Sequence, residues 1–125
     1  MRVPIRTYRD LDVFQESYKG ALEISKVCRK FPQHEQFELA RQLRRSARSV
    51  PANIVEGWAK RASAAEFKRY LVMAIGSCHE TQFWLEISKD EKFISIEEWD
   101  RFRNWYNRIG AMLQQLWKNW RGPAR

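Results

Sequence analysis

The sequence predicts an all-α protein, an antiparallel up-down-up-down four-helix bundle, and three observations predict it. Apolar residues recur at spacings of three and four over long stretches, strand-like alternation is absent, and only four glycines precede the C-terminal Gly122-Pro123. The chain reads as a single domain over residues 1–125, with helices at about 11–30, 34–59, 64–88 and 96–120. The connections are short, which favours antiparallel packing of consecutive helices.

In the first helix, Val13, Phe14, Ser17, Tyr18, Ala21, Leu22, Ser25 and Cys28 share one side, Asp10 or Asp12 lies near the start, and Phe31-Pro32 ends it. The second helix begins at His34 or Glu35 and runs to the region of Trp58. Taking 100° per residue, Arg44, Arg45 and Arg48 lie within about 60° of Arg41, while Leu39, Leu43, Ala47, Val50 and Ile54 occupy the opposite side. Pro51 removes the amide that would bond the Ala47 carbonyl, so this helix is expected to be kinked or broken there. Ser63-Ala64-Ala65-Glu66 has the form of a capping box and opens the third helix, with Phe67, Leu71, Ala74, Cys78, Gln82 and Leu85 at helical spacing. Ser95-Ile96-Glu97-Glu98 is a second such box and opens the fourth helix, which carries Trp99, Phe102, Trp105, Tyr106, Ile109, Met112, Leu113, Leu116, Trp117 and Trp120. Its apolar arc spans roughly 140°, wider than one core-facing strip needs. Large aromatics filling a small core account for most of it. An edge formed by Trp105, Met112, Trp117 or Trp120 is a candidate oligomer interface.

The formal net charge is +8, unevenly spread. Residues 41–69 hold eight basic against two acidic residues, a net of +6, whereas residues 70–100 hold two against seven, a net of −5. Such blocks suit a polyanion, or acidic and basic surfaces meeting between subunits. No apolar run is long enough for a membrane span, and the N-terminus lacks a signal core, so a cytoplasmic protein without membrane contact is expected. Cys28 and Cys78 sit far apart in apolar helical surroundings, which favours buried reduced thiols over a disulfide or metal site.

Chemistry is sparsely represented. His79-Glu80 lacks the second histidine one turn later that a zinc face requires, and no glycine-rich phosphate loop or nucleophile elbow is present. The expectation is a non-enzyme with no cofactor and no metal. Ser49, Asn53, Glu56, Ser77 and Glu80 are read as polar residues fastening helices; a catalytic alternative would need Glu56 and Glu80 to face each other. The candidate nucleic-acid-binding residues are Arg41, Arg44, Arg45 and Arg48, with Lys60, Arg61, Lys68 and Arg69. Four arginines without a lysine suit bidentate phosphate contact, and a merely solvated face is the alternative.

The order Leu11-Asp12-Val13-Phe14-Gln15, then Gln42 through Gly57, Glu66 through Leu71, and Gly76-Ser77-Cys78-His79-Glu80, resembles the four-helix-bundle family of proteins encoded within intervening sequences of bacterial 23S rRNA genes. It is similar also to the accessory variability proteins of diversity-generating retroelements. The resemblance implies a homopentameric ring, no known catalytic activity, and a role in binding RNA, DNA or a reverse transcriptase. Arg44, Arg45, Ser49, Pro51, Asn53, Glu56 and Gly57 carry it in the central motif, while the tryptophan-rich fourth helix and the acidic block from Asp90 to Asp100 depart from it. Two functions follow as expectations: a non-catalytic oligomer that binds nucleic acid through the arginines, or a protein-interaction scaffold whose basic face meets another subunit or a partner enzyme.

Overall fold

The computed structural model describes residues 4–122. Four helices follow in order, α1 (Asp12–Cys28), α2 (Leu39–Ala59), α3 (Ala64–Asp90) and α4 (Ile96–Asn119), and the described residues form no strand. Each helix packs on its sequence neighbours, α1 closes against α4, and the two diagonal pairs stay apart at the backbone. Cross-helix contacts fix the directions. Cys28 meets Ala40 and Ser25 meets Arg48 between α1 and α2, and Ser46 meets Thr81 and Ser49 meets Ser77 between α2 and α3. Cys78 meets Tyr106 and Phe67 meets Trp120 between α3 and α4. Glu16 meets Arg108 and Lys30 meets Glu98 between α1 and α4. In every pair numbering rises along one helix as it falls along the other, so all four contacts are antiparallel.

The second helix starts later than its periodicity suggests. A 3₁₀ turn at Gln33–Glu35 and a further turn precede Leu39. The Gln36 side chain donates to the carbonyls of Cys28 and Phe31, both at 2.9 Å, which satisfies the open end of α1 and holds the connection out of helical register. The Glu35 carboxylate then accepts from the Leu39 amide at 3.3 Å, supplying the cap that Glu38 does not. At Pro51 the chain stays helical, with the ring buried against the core. The break allowed by the sequence does not occur.

Leu43, Ala47, Val50 and Ile54, the apolar stripe of α2, are all fully buried, as are Phe102, Tyr106, Ile109 and Leu113 along α4. The flanks of the wide α4 arc reach both neighbours. Trp105 donates its indole N–H to the Glu16 carbonyl of α1 at 3.2 Å, Trp120 packs 4.5 Å from the Phe67 ring, and Met112 lies against the core. Of the four residues considered for an oligomer edge, Trp117 alone is exposed, at 40 %, and Lys68 sits over its ring.

Helix ends follow local chemistry. Ser95 and Glu98 complete a reciprocal capping box, at 3.0 and 2.9 Å, and Glu98 also takes an ion pair from Lys30 at 2.8 Å. At Ser63 only half a box forms: its hydroxyl accepts from the Glu66 amide, while the Glu66 carboxylate pairs with Arg69. The α3 terminus is a Schellman turn, with Phe93 N–H on the Ser88 carbonyl and Lys92 N–H on the Lys89 carbonyl, and Lys92 stands at φ 66° where glycine is usual.

Candidate nucleic-acid interface

Arg41, Arg44, Arg45 and Arg48 line one shallow open depression of about 460 Å³ on the outer side of α2, closed at one edge by Ser49 and Ala52. Their roles differ. The guanidinium of Arg44 turns inward and donates to the Gln36 carbonyl at 3.3 Å and its side-chain oxygen at 3.5 Å, close enough to the Cys28 thiol to oppose the burial that pushes that thiol up to about 11. Arg44 is therefore a strut between α2 and the preceding turn. Arg48 donates to the Ser25 hydroxyl at 3.2 Å, a neutral partner that leaves its charge uncompensated. Arg41 and Arg45 are exposed and make no side-chain hydrogen bond or ion pair with the described residues.

Lys60, Arg61, Lys68 and Arg69 are not brought to this depression. Lys60 lies fifteen residues beyond Arg45, about 22 Å along the helix, and all four cations have partners nearby. Lys60 donates to the Tyr70 hydroxyl at 2.8 Å, an interaction that raises the lysine pKa and lowers that of the phenol. Arg61 stacks 4.3 Å from the Trp58 ring and donates to the Trp58 carbonyl, Lys68 covers Trp117, and Arg69 forks onto Glu66. These cations brace the α2–α3 end of the bundle.

The polar residues assigned to helix fastening also separate. Ser49 and Ser77 share a hydrogen bond of 2.8 Å, and Asn53 donates to the Ser49 hydroxyl at 3.0 Å and carbonyl at 2.9 Å. The seam continues through two residues the sequence reading missed: Thr81, fully buried, lies 3.0 Å from the Ser46 hydroxyl and donates to the Ser77 carbonyl at 2.8 Å. Serine and threonine one helical turn apart on facing helices are the only sequence signal for it. Glu56 and Glu80 stand outside the seam. Both are exposed, and Glu80 accepts from the Trp84 indole on its own helix. They do not face each other across the helices, and no group of three or more metal-ligating side chains converges among the described residues. Cys28 and Cys78 are free and buried, and burial pushes the Cys78 thiol up to about 12. No helix among the described residues is long and apolar enough to cross a membrane.

The fold and the site together define a small antiparallel four-helix bundle with an arginine-lined outer surface on its second helix. Residues 9–115 match the sequence profile of the 23S rRNA-intervening sequence proteins. The chain belongs to that family. Its structure is similar to the crystal structure of a protein of unknown function from the S23 ribosomal protein family of Bacteroides thetaiotaomicron, with 27 % identity, a TM-score of 0.79, and coverage of 86 % of this chain and 96 % of that one. No curated protein matches the chain.

Proposed function

We propose that this protein binds nucleic acid without altering it chemically, through Arg41, Arg45 and Arg48 on the outer side of α2. The observation that carries the reading is the state of Arg41 and Arg45: one helical turn apart, lining the same depression, exposed, and with no partner among the described residues. Planar forks of this kind suit phosphate oxygens, and their mutual repulsion is relieved when an anion binds. The family's association with rRNA genes agrees with a polyanionic ligand. Binding of labelled RNA and DNA across a salt series tests it. The logarithm of affinity should fall with log salt by about 0.7 per phosphate contact on single strands and about 0.9 on duplex. Replacing the three arginines by glutamine should flatten that slope by up to about three contacts' worth. Absence of binding at low salt, or a triple variant that binds like wild type, refutes the reading.

Self-association is the second reading, and the outer face of α3 favours it. Val72, Met73 and Phe83 are 53, 44 and 55 % exposed there, with Gly76 leaving open space between them. The acidic residues of positions 70–100 and the basic residues of positions 41–69 make a contact between different faces of two copies charge-complementary, which closes into a ring when the rotation allows. A pentamer, the form implied by the family resemblance, is the specific expectation. A monomer at micromolar concentration in sedimentation removes it.

A further inference from the structure

Phe37 is the most exposed of the large apolar side chains of the described residues, at 71 %. It is not on a loose segment. Gln36, immediately before it, is fixed by two donated hydrogen bonds of 2.9 Å to the Cys28 and Phe31 carbonyls, and Arg44 grips the carbonyl of the Gln36–Phe37 peptide at 3.3 Å. The peptide that carries the exposed ring is thus held by a guanidinium of the arginine depression itself. Water solvates a phenyl ring poorly, and a ring carried on a peptide that Arg44 holds offers a flat apolar surface near the anion donors of the depression that Arg44 lines. A nucleotide presents the complementary pair, a π-face and a phosphate.

We infer that Phe37 is a base-stacking residue and that the ligand of the arginine surface is a nucleic acid with unpaired nucleotides. This rests on the nucleic-acid reading above and adds the class of ligand. Phosphates lie against Arg41 and Arg45, which are one helical turn apart, while the base of a neighbouring nucleotide stacks on Phe37. The neighbours of the ring agree with this division. Glu35 and Glu38 flank it within two residues, so its surroundings favour an uncharged base over a phosphate. A regular duplex keeps its bases stacked inward and offers this ring nothing, whereas a single strand or loop can splay a base onto it.

Fluorescence anisotropy on the full chain tests the inference with three probes at one low salt concentration: a uridine-rich RNA strand, a thymidine-rich DNA strand and a duplex of matched length. Phe37→Ala should weaken both single strands by about 5- to 150-fold, from the usual contribution of one stacked base, and change duplex binding less than about 2-fold. Phe37→Trp should retain single-strand affinity, and Arg41→Gln with Arg45→Gln should weaken all three probes. Thermal melting of Phe37→Ala should match wild type, since the ring is largely outside the core. If the arginine variants lose binding and Phe37→Ala does not, or if Phe37→Ala weakens strand and duplex alike, the stacking role is overturned while the nucleic-acid reading stands. If wild type binds no probe, the reading itself fails. If Phe37→Ala alters sedimentation and leaves binding intact, the ring is a contact between copies and the inference is overturned.

Discussion

Replacing Gly57 by alanine sets two known effects against each other, and the structure decides the sign. In an isolated helix the change is favourable by about 0.8–1.0 kcal/mol, because glycine loses more backbone entropy than alanine. In this bundle a Cβ at Gly57 would lie 2.8 Å from the Cβ of Tyr70, 3.1 Å from a ring carbon of Phe67 and 3.4 Å from the Phe67 carbonyl oxygen. Comfortable carbon contacts begin near 3.5 Å, so α3 would retreat by roughly 0.7–1 Å. The obstructing atom is a Cβ fixed to the α3 backbone, and no rotamer change moves it aside. Overpacking of this kind costs about 1–3 kcal/mol, leaving a net loss of roughly 0–2 kcal/mol after the propensity gain. Gly76 is the internal control: it lies mid-helix in α3, and an added Cβ there meets nothing within 4 Å. Gly76→Ala should therefore stabilise by up to about 1 kcal/mol, a rise in Tm of a few degrees for a domain of this size. Urea unfolding followed by far-ultraviolet circular dichroism and tryptophan fluorescence measures both. A Gly57→Ala protein stabilised as much as Gly76→Ala, or the same loss at both glycines, would refute the claim that close α2–α3 approach is what requires Gly57.

Lys92→Gly should stabilise by about 1 kcal/mol in the same assay, because Lys92 holds a left-handed backbone at φ 66° that costs a side-chain-bearing residue and not glycine. Ser95→Ala should cost about 1 kcal/mol by removing the cap on the Glu98 amide. Glu98→Gln should show a pH signature. The hydrogen bond from Lys30, then that from the Ser95 amide, hold the Glu98 carboxyl below its ordinary value of 4.5. A folded pKa below the unfolded one gives stability that is complete above the unfolded value and lost as pH falls through the folded one. The variant should thus be less stable than wild type near neutral pH, with the gap closing on acidification below about 4.5. Cys28 and Cys78, held up to about 11 and about 12 by burial, should resist alkylation at pH 8 in the native protein and react on unfolding; rapid native labelling by iodoacetamide would contradict their burial.

Periodicity and caps are local properties, and the sequence determined by itself what depends on them. The four helices, the buried stripe of Leu43, Ala47, Val50 and Ile54, the arginine stripe opposite it and the Ser95–Glu98 box all follow from residues within a few positions of one another. The late start of α2 was not legible, because the residues that hold the connection, Gln36 and Glu35, act through side-chain hydrogen bonds that no spacing rule encodes. The end of α3 falls at Asp90, close to the expected residue 88, but the left-handed turn at Lys92 was not legible, because a lysine occupies the position that glycine would have advertised.

What only the tertiary structure decided is how chemically similar residues divide their work. Four arginines share one stripe, yet Arg44 is drawn inward by a carbonyl eight residues away and Arg48 is engaged by a serine on another helix, which leaves Arg41 and Arg45 as the open pair. Ser46 and Thr81 join the α2–α3 seam while Glu56 and Glu80 stay in solvent, because the rotation of each helix against its neighbour sets which polar residues face each other. That rotation is fixed by packing of the whole core and by the close approach at Gly57.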